Sequence, residues 1–307
     1  MLKRAQVIPY FANLPECLVG MEACAGAHYR TRRLSSLGHQ VKMIPPQYVK
    51  PYVRGNKNDY NDALAIAEAV SRPEMRFIAV KTIKQQDIQA VHRLRERRIQ
   101  DRTALCNQLR GLLAEYGLTL PTGINVLRRR LPELMEDAEN GLSTLFRQLL
   151  AQCYQQLREI DEHIDQYTRV LINQSRHDDA CQRLQTIPGF GPIVASAFHS
   201  VIGHGAPYRR GRDVSASLGL VPKQHSSGGK SVLLGISKRG DRYLRSLLVQ
   251  GARAVLIQAV NKDHPLSLWI NKIKSDRGTN KAIVPFANKM ARIGWAILAN
   301  KTTYQVA

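Results

Sequence analysis

The sequence has no run of about 18 apolar residues, the length that a membrane-spanning helix requires. Its opening, Met1-Leu2-Lys3-Arg4-Ala5-Gln6, lacks the long apolar core of a secretory signal. Both absences predict a cytoplasmic protein without a membrane partner. Cysteine is sparse. Cys17, Cys24, Cys106, Cys153 and Cys181 are odd in number, widely spaced and without a CxxC pair, which argues against a disulfide framework or a zinc site and predicts reduced core thiols. None of the nine histidines forms an HxxxH pair. Acid is scarcest toward the C-terminus, where residues 181–307 hold 4 Asp+Glu against 19 Lys+Arg.

What is present is positive charge, unevenly spread. The net charge is +21. Residues 1–83 hold 12 Lys+Arg and 6 Asp+Glu, whereas residues 84–180 hold 14 of each. A neutral middle flanked by two basic ends suits a spacer between two surfaces that face a polyanion, and predicts salt-dependent binding of RNA or DNA. With 307 residues and 44% hydrophobic content, the chain can build more than one core and is not a disordered polycation.

Residues 1–83 alternate strand-like and helix-like runs: a strand Cys17–Met21 ending at Glu22, a helix Ala25–Leu37, a strand His39–Ile44, a helix from Asp59 to Ser71 and a last strand Phe77–Val80. This order predicts a parallel sheet. Asp59 and Asp62 lie three residues apart before the periodic apolar positions Ala63, Ile66, Ala67 and Val70, so a helix projects both carboxylates from one face. A capping role for Asp59 accounts for part of this pattern. Glu22, at the carboxyl end of a buried strand, lies where open α/β sheets place ligands, and three carboxylates converging there suit a hard cation such as Mg2+.

Residues 84–180 read as two long helices, Gln85–Tyr116 and Leu142–Asn173, around a turn at Pro121 and Gly123. Phe146, Leu150, Cys153, Leu157, Ile160, Ile164, Tyr167 and Leu171 recur at alternating spacings of four and three, predicting a coiled-coil hairpin that packs internally or dimerises. Residues 181–307 are mainly helical. They open on Ile187-Pro188-Gly189-Phe190-Gly191, which reads either as an ordinary tight interhelical turn or as one similar to the turn of helix-hairpin-helix modules, where Gly189 and Gly191 would let backbone amides meet a phosphate. Further on, Ser226-Ser227-Gly228-Gly229 is surrounded by Lys223, Lys230, Lys238, Arg239, Arg242 and Arg245, a setting for phosphodiester chemistry or for phosphate holding. Serine becomes a nucleophile only when activated, so these residues alone leave a turn serine and a catalytic serine both open.

Taken in order, Met21-Glu22-Ala23-Cys24, Asn58-Asp59, Asp62-Ala63, Leu109-Arg110-Gly111-Leu112-Leu113, Ile187-Pro188-Gly189-Phe190-Gly191, Gly219-Leu220-Val221-Pro222, Ser226-Ser227-Gly228-Gly229 and Gly240-Asp241-Arg242-Tyr243-Leu244-Arg245 resemble the insertion-sequence 110 transposases, in particular their 1111 subgroup. The resemblance spans nearly the whole chain. It implies a RuvC-like (RNase H-like) α/β domain over 1–83 with an Asp-Glu-Asp-Asp tetrad, a coiled-coil linker over 84–180 and a mainly α transposase domain over 181–307. It further implies a DNA recombinase acting on element ends and target, guided by a bridge RNA and working as a homodimer or homotetramer. Carried over, Glu22, Asp59 and Asp62 become the Mg2+-binding acids and Ser227 the nucleophile, with Ser226 its nearest rival. The tetrad's first Asp has no counterpart before Glu22, so the reading expects a domain lacking its first strands, a truncated N-terminus and impaired catalysis. That expectation carries an alternative, a remnant that binds nucleic acid without cutting it. A metal-dependent nuclease that does not use the serine is the less favoured third.

Overall fold

Alternating apolar residues next to glycine and proline breaks give residues 18–44 their extended stretches. The computed structural model of the chain describes residues 2–56, 58–260 and 262–305. They divide into two compact units, Met1–Ile83 with Gly203–Arg209, and Lys84–Ile202 with Arg210–Ala307.

In the first unit a 3₁₀ turn leads into α1 (Val7–Ala12), followed by β1 (Leu18–Glu22), α2 (Ala27–Ser35), β2 (Gln40–Ile44), α3 (Pro46–Val49) and α4 (Asp59–Val70). As the alternation predicts, β1 and β2 pair in parallel, from Leu18 opposite Gln40 to Glu22 opposite Ile44. Ile44, Val49, Ala65, Ala69 and Val70 form the core beneath them. Gly20 is what lets α4 approach β1. A Cβ there would stand 3.1 Å from both Ile66 Cγ2 and Val70 Cβ.

The expected strand Phe77–Val80 is not one. Only Ile78 pairs, antiparallel, with Met43. The chain is then drawn toward α2: the Lys81 carbonyl accepts from Arg32 Nη1 at 2.7 Å and the Lys81 amide donates to His28 Nδ1 at 3.3 Å. Four residues pulled sideways at one end cannot extend a ladder along β2.

The second unit opens with α5 (Ile83–Ala114), α6 (Ile124–Glu136) and α7 (Thr144–Arg176). α5 and α7 run antiparallel, as Tyr116 meets Phe146, Arg102 meets Asp161 and Arg95 meets Thr168. The seven-residue seam of α7 turns inward: Phe146, Leu150, Leu157, Ile164 and Leu171 are buried. Instead of a two-helix hairpin, the upper part of this core has three helices, because α6 inserts Leu127, Leu131 and Leu134 between Leu109 and Leu113 of α5 and Leu150 and Leu157 of α7. The run Arg128-Arg129-Arg130 hides this helix in the sequence, yet those residues belong to its polar side, and Leu127, Leu131 and Leu134 keep helical spacing.

The remaining elements are α8 (Asp179–Gln185), α9 (Pro192–Ile202), α10 (Gly211–Ser217), β3 (Pro222–Ser227), β4 (Lys230–Ile236), α11 (Arg242–Gln258), α12 (Pro265–Arg277) and α13 (Thr279–Asn300). α13 packs against α8 through α12 and buries Ile283, Phe286, Met290, Ile297 and Leu298. No helix is long and apolar enough to cross a membrane among the described residues.

Candidate active site and nucleic-acid surface

Glu22 is the last residue of β1 and is half-buried. It lies two residues beyond Gly20, hence on the same side of the strand, the side against which Ile66 and Val70 of α4 pack. Asp62 sits one helical turn before Ile66, and Asp59 one turn before Asp62. Strand register and helix periodicity put the three acids along the same β1–α4 seam, but their carboxylates are not gathered. Among the described residues the one such group with ligand atoms within 4.8 Å of one another is Asp178, Cys181 and His199. The cap itself is Asn58, not Asp59: its Oδ1 accepts from the Asn61 amide at 2.7 Å. Asp59 and Asp62 then occupy the first turn, where the helix dipole favours negative charge. Among the described residues none of the three acids forms an ion pair with Lys or Arg. Their oxygens are of the type a hard divalent cation takes, although they do not stand as a closed ligand set.

The group in the other unit has a different chemistry. One donor atom from each of Asp178, Cys181 and His199 lies within 4.8 Å of the others. Asp178 caps α8, accepting from the Cys181 amide at 3.0 Å, and also faces His199 Nδ1 at 3.2 Å and Lys84 Nζ at 3.5 Å. The hydrogen bond from His199 holds its carboxyl well below the usual carboxylate range, against the opposing effect of burial. Burial, reinforced by the Asp178 carboxylate, pushes the Cys181 thiol up to about 12. Mixed nitrogen, sulfur and oxygen donors suit a softer ion than Mg2+. The carboxylate is already engaged in anchoring α8 to α9 and α5.

The serine pair lies on an antiparallel hairpin that the sequence reading missed. β3 and β4 are joined by Gly228-Gly229, whose φ angles of +55° and +78° make the two-residue turn that matches strand twist. Ser226 pairs with Ser231 and Ser227 with Lys230, so the two serines point to opposite faces. Ser226 Oγ accepts from Gln224 Nε2 at 2.8 Å and lies 3.4 Å from Ser231 Oγ. Ser227 is exposed and, among the described residues, its hydroxyl has no side-chain partner. The overlooked signal was Gly-Gly between two six- to seven-residue runs of extended type.

The expected cationic surround divides into two groups. Lys223, Lys230, Lys238, Arg239 and Arg242 are exposed, as a phosphate surface requires. Arg245 is half-buried, and its Nη1 donates to the carbonyls of Leu218 at 2.8 Å and Arg239 at 3.0 Å. Through this nitrogen it fastens the loop before α11. The turn between α8 and α9 divides in the same way. Gly191 is open, with nothing near a Cβ, whereas Gly189 serves packing: a Cβ there would stand 2.8 Å from the Gly251 carbonyl of α11.

A buried network joins these parts and carries no sequence signal. His92 of α5 lies 3.0 Å from the Tyr243 hydroxyl through Nδ1 and 3.1 Å from Ser196 Oγ through Nε2. Because Ser196 donates to the Ile193 carbonyl at 3.2 Å, the network assigns the ring proton to Nε2, with Tyr243 donating to Nδ1. Burial, aided by the Arg95 cation, lowers the His92 pKa to about 4.

The profile of the IS110-type DEDD transposase domain matches residues 4–118, and that of the transposase IS116/IS110/IS902 family matches residues 181–265. The chain is similar to the transposase for insertion sequence element IS1111A of Coxiella burnetii, 45% identical over 304 residues, which cover 99% of this chain and 84% of that protein. It is 46% identical over 305 residues to a probable family 20 transposase of Pseudomonas aeruginosa, covering 99% and 90% of the two chains. With the transposase for insertion sequence element IS1328 of Yersinia enterocolitica it shares 43% identity over 303 residues, 98% and 89% of the two chains. Two profiles in chain order and identities above 40% across nearly the full length place the chain within the IS116/IS110/IS902 family of transposases.

Proposed function

We propose that the chain is a DNA recombinase that cuts and rejoins the ends of its own element through a serine-phosphodiester intermediate, guided by an element-encoded RNA and working as a dimer or tetramer. Support for the nucleophile comes from the hairpin. Ser227 presents an exposed hydroxyl beside a Gly-Gly turn, while Ser226 is engaged by Gln224. In the first step Ser227 Oγ loses its proton and attacks phosphorus, the bond to the leaving DNA oxygen breaks, and that oxygen takes up a proton. The new Oγ–P bond conserves the energy of the broken one. A second DNA hydroxyl then attacks the phosphoserine, restoring the Ser227 hydroxyl and joining the strands.

Glu22, Asp59 and Asp62 are the groups that would hold Mg2+, whose chemistry when bound is to polarise a phosphate oxygen. Exposed Lys223, Lys238, Arg239 and Arg242 hold the DNA or RNA backbone by charge and confer no sequence preference. Homologues named as transposases of insertion sequence elements support the substrate class.

The test is to trap a protein–DNA adduct under denaturing conditions on a labelled duplex of the element's end. An adduct lost in Ser227→Ala and kept in Ser226→Ala supports the assignment, and the reverse pattern moves the role to Ser226. A second reading, binding without cutting, draws on the two-stranded sheet that holds Glu22. Salt-dependent binding with no adduct in any divalent metal would favour it.

A further inference from the structure

We propose that Lys230 acts as a catalytic partner of Ser227, its ammonium neutralising the phosphate that the serine attacks. The proposal rests on the reading of Ser227 as nucleophile and extends it to a second residue. Ser227 and Lys230 are the last cross-strand pair before the turn. Directly opposed residues of an antiparallel pair project to the same face with Cβ atoms about 4.5–5.5 Å apart. The turn fixes this pairing, since both of its glycines sit in the left-handed region and a one-residue slip would place a side chain there.

Alternation then separates the two faces. Gln224, Ser226, Ser231 and Leu233 share one, and His225, Ser227, Lys230 and Val232 the other. The Gln224–Ser226 hydrogen bond at 2.8 Å confirms that same-face neighbours on this strand touch. Lys230 therefore accompanies Ser227 and not Ser226. It is exposed, and among the described residues no carboxylate pairs with it.

No other cation of the surround is placed in this way. Lys223 is four residues back along β3, about 13 Å away at strand rise. Lys238 and Arg239 follow the end of β4, Arg242 starts α11, and Arg245 is bound to two carbonyls. A phosphodiester carries its charge on two non-bridging oxygens, and attack by Oγ concentrates it there. An ammonium on a flexible stem, with three N–H donors, can follow that charge into the transition state.

The experiment uses the full chain and a labelled element-end duplex, with the scissile phosphate first mapped on the unaltered protein. Adduct formation and duplex affinity are measured for Lys230→Met, Lys230→Arg and Ser227→Ala. The same assays are repeated with a neutral methylphosphonate at the scissile position. Lys230→Met is expected to slow the adduct about 100-fold while weakening binding less than tenfold, and Lys230→Arg to retain most of the rate. On methylphosphonate, which is neutral before attack and gathers one negative charge fewer in the transition state, the deficit of Lys230→Met is expected to shrink to less than about tenfold. Parallel loss of affinity and rate, or no recovery on methylphosphonate, overturns the proposal and reduces Lys230 to a backbone contact. An adduct surviving in Ser227→Ala, or none from the unaltered chain, overturns the reading of Ser227 and this proposal with it. A wild-type rate in Lys230→Met, with Ser227→Ala inactive, overturns this proposal alone.

Discussion

Mild acid should loosen the second unit through one side chain, His92. In the unfolded chain an imidazole takes its proton near pH 6.5, whereas His92 in its buried site does so near 4. The folded state therefore binds fewer protons between those values. Its stability is at full strength above 6.5 and is lost as pH falls toward 4. At pH 5 the unfolded state gains a factor of 1 + 10^1.5 and the folded state one of 1 + 10^−1, with the two pKa values inserted. The ratio is about 30, or about 2 kcal/mol of destabilisation relative to neutral pH. Structurally, the added proton falls on Nδ1, where the Tyr243 hydroxyl now donates, and the Arg95 cation opposes it. Urea unfolding followed by tryptophan fluorescence isolates the effect, because Trp269 and Trp295 both belong to this unit. His92→Gln keeps an amide in the cavity but cannot titrate. Its loss between pH 7 and 5 should be smaller than that of the unaltered chain by about 2 kcal/mol. Equal losses in the two proteins would refute the reasoning, since every other titrating group is common to both.

Gly251→Ala is expected to destabilise the second unit by about 2 kcal/mol or more, although alanine is the better helix former by about 1 kcal/mol. The added Cβ would stand 2.3 Å from the Gly189 carbonyl, and thermal unfolding checks this. The cations can be sorted by salt titration of duplex binding. Alanine at Lys223, Lys238 or Arg242 should each lower the slope of log affinity against log salt by about 1. Arg245→Ala should leave the slope unchanged and cost about 1–2 kcal/mol of stability, because its partners are the Leu218 and Arg239 carbonyls.

The sequence was most informative where one element sufficed to fix a pattern. β1 and β2 announce themselves through apolar runs closed by Glu22 and by Pro45-Pro46, and α4 through its periodic apolar positions, although its cap is Asn58 and not the expected Asp59. The seam of α7 was visible for the same reason, although spacing alone could not tell that α6 covers part of it. The Phe77–Val80 segment has strand composition, and only the pull of Arg32 and His28 on Lys81 explains why it stops after one bridge. Cysteine burial was half legible: Cys106 and Cys181 are buried, Cys17 and Cys24 exposed. In the site, the helix spacing of Asp59 and Asp62 and the glycine context of Ser227 were readable. The opposite orientation of Ser226 was not, because it depends on a hairpin register that only pairing defines. The His92–Ser196–Tyr243 network joins residues 104 and 151 positions apart, beyond any local pattern.

The hairpin of β3 and β4 is exposed along both strands, apart from Ile236 at its base. Nothing that keeps the transposase folded depends on what its tip carries. Residues there can change, or be exchanged together, without disturbing the apolar interior around α13. Such an arm has little packing of its own to hold it in place, so its working position must come from whatever it grips. If Ser227 cuts as proposed, a group mounted this way would be idle until a strand is in hand.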